Sequence, residues 1–183
     1  VSRLNNLEQQ VRDMLVFAKG DVTLSDSMTI GSMIEELKIA VDVPLSANEA
    51  TLVINNDLSD TRIVCNSQTM IGALSNLVNN ALQASTVGAN IQLTTRREDN
   101  DILISIADNG CGIPENIMQR LQQEEAFVST KSQGTGLGIA VVRAVVKAHQ
   151  GEFELSSKEG RGTQATIKLP WVHATPQSRR LSE

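Results

Sequence analysis

The stretch Ile102-Leu-Ile-Ser-Ile-Ala-Asp-Asn-Gly-Cys-Gly-Ile-Pro114 alternates apolar and small residues and then breaks at two glycines. Ile102, Ile104 and Ile106 share one face of an extended strand, and Asp108 has the same parity. If that face is the core, the strand ends on a carboxylate aimed inward. Such a group needs donors, or its pKa rises sharply. The donors come either from backbone N–H groups of the following turn or from a bound ligand. Gly110 and Gly112 permit a positive φ and carry no side chain, so a flat ligand could approach the backbone there. Asp-Asn-Gly is also a common tight turn, and that plainer reading stays open.

The flanking sequence places this strand in a mixed domain. Upstream lies a second strand, Ile91–Arg97, with Glu98–Asp101 as the hairpin turn between the two. Downstream, Pro114 opens a helical stretch, residues 122–135 are polar and irregular, and a helix from Leu137 to His149 stops at Gly151. Strands Glu152–Ser157 and Gln164–Leu169 follow. Nearer the N-terminus the periodicity predicts helices over Met28–Val41, ended by Pro44, and over Ser67–Thr86. Short strands are expected at Leu52–Ile54 and Thr61–Val64. Leu4, Leu7, Val11, Met14 and Ala18 form a narrow seam over residues 1–19, stopped by Gly20. A seam so short calls for a partner helix, although packing on the following domain would also bury it. Residues 171–183 lack any period and read as a loose tail. Strands and helices mix without strict alternation. The expected fold class is therefore α+β, a two-layer sandwich with helices on one face of a mixed sheet.

Composition narrows the function. The chain has 183 residues, a net charge of −5, three Phe, one Trp and no Tyr. Scattered cations give no footprint for nucleic acid or anionic lipid, and few aromatics exclude a base-stacking platform. No apolar run is long enough for a membrane helix. Two cysteines, Cys65 and Cys111, make neither a disulfide framework nor a metal site, so a cytoplasmic setting is expected.

Two further segments stand out. On the helix over residues 67–86, Met70, Leu74, Leu77, Val78, Ala81 and Leu82 form the core stripe, while Asn76, Asn80 and Gln83 lie opposite. Asparagine disfavours helix by up to ~0.7 kcal/mol against alanine. Asn76 and Asn80 instead offer neutral amide oxygens one turn apart, suited to a hard cation such as Mg²⁺; a plain solvated face is the competing reading. In Phe127-Val-Ser-Thr-Lys-Ser-Gln-Gly-Thr-Gly-Leu-Gly-Ile139, three alternating glycines precede a helix start, where bare N–H groups and the helix dipole attract phosphate. Thr130 and Lys131 add a hydroxyl and a cation. This is no Walker A loop, because no Lys-Ser or Lys-Thr follows the last glycine, and Ile139 stands where a dinucleotide fingerprint needs its third glycine.

Taken in order, these segments resemble the ATP-binding catalytic domain of two-component sensor histidine kinases, whose fold is shared with the gyrase, Hsp90 and MutL ATPases. Asn76-Leu-Val-Asn-Asn80-Ala81 is similar to the family's N box, Asp108-Asn-Gly-Cys-Gly112 to its G1 box and Gly134-Thr-Gly-Leu-Gly138 to its G2 box. Phe127 with Thr130-Lys131 resembles the F box, and Gly160-Arg-Gly-Thr163 the closing motif. The match covers residues 28–170, and the wording is similar to the nitrogen-regulation and flagellar-regulation class, whose response regulators activate σ54 promoters.

The resemblance implies roles. Asn80 would hold Mg²⁺ against ATP, with Asn76 assisting; Asp108 would accept the adenine amino group, with Gly110, Gly112 and Ile113 beside the base and Thr163 near it. Residues 115–135 would form a lid, with Thr130 and Lys131 near the phosphates and Gly134, Thr135, Gly136, Leu137 and Gly138 framing them. Gln83 stands where many relatives carry a phosphate-contacting cation. The ATPase cousins place a glutamate base where this chain has Asn76, which cannot activate water, so a histidine imidazole is the better acceptor. Residues 1–20 resemble the second helix of the dimerising phosphotransfer region, with residues 21–170 as the ATP domain and 171–183 as tail. The acceptor histidine is then expected before Val1. His149, at a helix end where a cation would favour the dipole, and His173 are poor candidates for it. Implied partners are a response regulator and a second copy of the full protein. The alternatives are an ATP-hydrolysing switch or serine kinase of the same fold, or a docking module without catalysis.

Overall fold

The computed structural model describes Leu24 and residues 26–85, 88–123 and 137–171. The chain order is β1 (Asp26–Thr29), α1 (Ile30–Ala47), β2 (Thr51–Asn56), β3 (Arg62–Cys65), α2 (Ser67–Ala84), β4 (Asn90–Glu98), β5 (Asp101–Asp108), α3 (Glu115–Gln122), α4 (Leu137–Ala148), β6 (Glu152–Ser157) and β7 (Thr163–Pro170). The main sheet runs β2-β4-β5-β7-β6, with β2 parallel to β4 and the other pairs antiparallel. β1 and β3 form a separate antiparallel ribbon. The mixed sheet with helices against it is the architecture expected from sequence.

Strand parity makes the core. Ile91 and Leu93 on β4, Ile102, Ile104 and Ile106 on β5, and Ala165, Ile167 and Leu169 on β7 are all buried on the helix side. Against them pack Met70, Leu74, Leu77, Val78, Ala81 and Leu82 of α2, the stripe legible in the sequence, joined by Ala73. Each large aliphatic side chain so buried contributes roughly 1.5–3 kcal/mol. Ile30, Met33, Ile34, Leu37 and Val41 of α1 and Val141, Val142, Val145 and Val146 of α4 complete the layer.

Several boundaries differ from expectation. The helix predicted from Met28 begins at Ile30, because Asp26–Thr29 pair with β3 and the Thr29 hydroxyl caps the helix by accepting from Ser32 N at 3.1 Å. Pro44 does not end α1 but sits in its last turn, where it forfeits one backbone donor. Asn48 closes that end instead, its side-chain amide donating to Pro44 O at 2.8 Å. The Ser67 helix stops at Ala84. The β4–β5 turn is two residues, Asp99 and Asn100, with Asp99 at φ 52°. Trp171, read with the tail, is held in place: its N–H donates to Asn100 O at 2.8 Å and the Arg97 guanidinium lies 3.7 Å over its ring. The remaining tail and the seam over residues 1–19 lie outside the described residues.

Candidate functional site

The apolar rows of the sheet end in a polar one. Ile91 faces Asp108 across β4 and β5, and Ser157 faces Thr163 across β6 and β7. Ala107 pairs with Gln164, which sets Asp108 and Thr163 opposite one another one step on. All three polar residues keep core parity, so Asp108, Thr163 and Ser157 line up on the helix side of the sheet.

Asp108 has found local donors on one oxygen. Its Oδ1 accepts Gly110 N at 2.8 Å and Thr163 N at 3.3 Å, while Oδ2 accepts no hydrogen bond among the described residues. Burial pushes its carboxyl above the ordinary carboxylate value, and those two N–H bonds pull against that. A half-buried carboxylate therefore presents one oxygen with spare acceptor capacity.

The glycines around it have a structural reason that sequence did not reveal. A side chain at Gly110 would lie 2.6 Å from Ala84 O, at the end of α2, where Cys111 N donates to the same carbonyl at 2.8 Å. Gly112 (φ 69°) and Gly162 (φ 87°) sit in left-handed backbone, and a side chain would strike Lys158 O and Asp108 O respectively. The turn over residues 158–162 is thus pressed against the loop over 109–113, and Gly160 N closes the contact on Cys111 O at 2.7 Å. Ile113 is tied in through its N–H, which donates to Ser157 Oγ at 2.9 Å.

The second half of the site comes from two antiparallel helices. At one end, a side chain on Gly138, in the first turn of α4, would lie 3.5 Å from Asn80 Nδ2 on α2. At the other, Asn66 N donates to His149 Nε2 at 2.9 Å, and His149 Nδ1 lies 2.7 Å from Val145 O. The first turn of α4 therefore faces the Asn80 amide. Asn76 is buried at 7% exposure, not part of a solvated outer face; Asn80 is half-buried and Gln83 exposed. Leu137 is buried beside them.

His149 corrects the dipole reading. The imidazole must donate from Nδ1 to Val145 O and accept at Nε2, which fixes it as neutral. Burial lowers its pKa, against the Val145 bond. With both nitrogens engaged it is also no phosphoryl acceptor. Of the two cysteines, Cys65 is buried and its thiol is pushed up to about 11, while Cys111 is exposed beside Gly110 and Gly112.

The structure thus groups Asp108, Gly110, Gly112, Ile113 and Thr163 at one end of the sheet, and Asn76, Asn80, Gln83, Leu137 and Gly138 on the adjoining helices. Thr130, Lys131, Gly134, Thr135, Gly136 and His173 lie outside the described residues. Sequence reasoning missed Ser157, although Phe153, Leu155 and Ser157 show the same parity signal that singled out Asp108. The concavity by Asp60, Arg62 and Trp171 lies at the opposite end of the sheet and takes no part.

The chain is similar to several known proteins. The sensor protein kinase FleS of Pseudomonas aeruginosa is 39% identical over 176 residues, 96% of this chain and 43% of its own length. Full-length ShkA, solved in complex with AMPPNP, superposes with a TM-score of 0.77 at 23% identity, over 91% of this chain and 36% of that one. ThkA in complex with the response regulator TrrA superposes at 0.71 with 18% identity, covering 93% of this chain and 49% of that one. The chain spans less than half the length of the curated relatives it matches. Residues 65–173, which hold α2, the Asp108 loop and the closing strands, match the family model for histidine kinase-, DNA gyrase B- and HSP90-like ATPases, and to that family the chain belongs.

Proposed function

We propose that this chain is the ATP-binding, phosphoryl-donating part of a sensor histidine kinase, passing the γ-phosphoryl group of Mg·ATP to a histidine on another segment and thence to a response-regulator aspartate. The observation that carries the reading is Asp108, whose Oδ1 is satisfied by backbone N–H groups while Oδ2 has acceptor capacity left beside Thr163. That oxygen suits the amino group of adenine, and Gly110 and Gly112 hold the loop that brings it there.

Mg²⁺ fits the residues present. Among the described residues no group of three His, Cys, Asp or Glu side chains could hold a metal, and a Mg²⁺ carried with the triphosphate would take phosphate oxygens together with an amide oxygen. Asn80 would contribute its amide oxygen, with Asn76 supporting it, where the first turn of α4 at Leu137 and Gly138 would face the phosphates. The ion supplies charge neutralisation on the triphosphate. Thr130, Lys131, Gly134, Thr135 and Gly136 would complete the phosphate cradle, and Gln83 would lie one turn from Asn80.

Asn76 has no basic lone pair, so attack by water is slow and an imidazole is the effective nucleophile. His149, buried and doubly bonded, is not that nucleophile. The resemblance of the boxes further implies a response regulator of the flagellar-type, σ54-activating class, homodimerisation through residues 1–20 in the full protein, and a cytoplasmic setting. No helix among the described residues is long and apolar enough to cross a membrane.

The test mixes the chain with γ-labelled ATP and a separately produced phosphotransfer segment from a close relative. Acid-labile, base-stable label on that segment is expected. Acid-stable label, or steady phosphate release without transfer, would favour the serine-kinase or ATPase reading instead.

A further inference from the structure

We propose that Ser157 fixes the hydrogen-bonding polarity of Thr163, so that Asp108 and Thr163 together form an acceptor-only edge selecting a nucleobase with an exocyclic amino group over one with a carbonyl. The inference rests on the nucleotide reading above and names the residue that sets its base preference.

Ser157 Oγ has three neighbours: Ile113 N–H at 2.9 Å, Gly162 O at 2.9 Å and Thr163 Oγ1 at 2.9 Å. A hydroxyl carries one proton and two lone pairs. The carbonyl of Gly162 can only accept, and it has room for Ser157 beside the longer bond from Lys158 N at 3.3 Å. The Ser157 proton therefore goes to Gly162 O. Were it turned to Thr163 instead, two oxygens with facing lone pairs would sit 2.9 Å apart with no hydrogen between them. One lone pair of Ser157 takes the Ile113 N–H, and the other takes the Thr163 hydroxyl proton. Every contact is then bonding, and Ser157 is saturated.

Thr163 has consequently given its only side-chain proton inward, and what it offers the site is lone pairs. Asp108, directly across the strand pair, likewise offers Oδ2 as an acceptor, its Oδ1 being filled by Gly110 N and Thr163 N. Two neighbouring acceptors suit an amino group, which has two N–H bonds, or a water that bridges to one. A carbonyl at the same place meets lone pairs from both sides. Ser157 touches no ligand in this account. It is a positioning residue that acts through the rotamer of another hydroxyl.

The test is calorimetric binding of ATP and of inosine triphosphate, which replaces the amino group with a carbonyl, to wild type and to Ser157→Ala, Ser157→Thr and Thr163→Val. The wild-type chain should prefer ATP. Ser157→Ala frees the Thr163 hydroxyl to rotate and donate while keeping its lone pairs, so the ATP preference should shrink about tenfold, the worth of one hydrogen bond gained by the carbonyl. Ser157→Thr keeps the hydroxyl and should restore the ratio, and Thr163→Val should narrow it without reference to Ser157. If Ser157→Ala weakens both nucleotides by the same factor, Ser157 merely braces the two loops and the proposal falls. A Thr163→Val chain with the wild-type ratio overturns it too, even where Ser157→Ala fails to fold. Failure of folded wild type to bind either nucleotide would instead overturn the nucleotide reading itself.

Discussion

Replacing His149 with leucine should destabilise the domain and also remove part of its pH dependence. The ring joins the end of α4 to the start of α2, accepting Asn66 N at 2.9 Å and lying 2.7 Å from Val145 O. Leucine fills the volume and leaves Val145 O bonded to the backbone N–H of residue 149, now at 3.1 Å. It removes the imidazole that accepts from Asn66 N, a loss of up to about 1–3 kcal/mol for this part-buried bond. Acidification should do similar damage to the wild type. Burial lowers the folded-state pKa of His149 below its ordinary 6.5. Between those two values the unfolded chain binds a proton that the folded chain does not, so stability present above pH 6.5 is lost as pH falls through this window. Urea unfolding followed by circular dichroism from pH 8 to pH 5 measures both effects, and the difference between wild type and variant cancels contributions shared by the two, including that of Asp108. That difference should be flat at high pH and shrink on acidification. Parallel profiles, or a wild type that gains stability over the variant at low pH, would refute the neutral-imidazole account and restore a cationic histidine on the helix dipole.

Gly162→Ala should destabilise by more than about 2 kcal/mol in urea unfolding, since a left-handed residue alone disfavours a side chain by ~1–2 kcal/mol and the new methyl would also strike Asp108 O; a neutral substitution would contradict the packing of the two loops. Asn80→Ala should abolish the gain in ATP affinity on adding Mg²⁺ while leaving Mg²⁺-free nucleotide binding within about threefold; an unchanged Mg²⁺ response by calorimetry would remove Asn80 from the metal site. With a thiol reagent at pH 8, Cys111 should react at once and Cys65 only on unfolding, because Cys65 is buried and pushed up to about 11; rapid modification of both would contradict its burial.

Local pattern made much of this legible. The parity of Ile102, Ile104, Ile106 and Asp108 placed the carboxylate on the core side, and the spacing of Met70, Leu74, Leu77 and Leu82 gave α2 and its buried face. These signals lie within single elements, where period alone decides which way a side chain faces. What failed to show depends on partners distant in sequence. Asp26–Thr29 carry no strand period of their own and become β1 only through β3, more than 30 residues on. His149 looked like a helix-end cation until Asn66, 83 residues away, supplied an N–H that requires a neutral ring. Gly110 and Gly112 could be read as openings for a ligand, whereas the backbone carbonyls of Ala84 and Lys158 demand them. Ser157 was within reach, since parity along β6 marks it as it marks Asp108 on β5, but its bonds to Ile113, Gly162 and Thr163 exist only once three loops meet. Pro44 shows the limit of a breaker rule, because in a last turn it removes a single hydrogen bond and the helix runs on to Ala47.

The account stands most directly on calorimetric titration of ATP into the wild-type chain and its Asp108→Asn variant, with folding of both verified by unfolding curves. Asparagine keeps an oxygen for Gly110 N and Thr163 N but puts an amide NH₂ where Oδ2 accepts, so donor would face donor. The wild type should bind and the variant should lose about a hundredfold in affinity, or ~2.7 kcal/mol. Equal affinity of the two folded proteins for ATP would contradict the assignment of Asp108 as the group that reads the base.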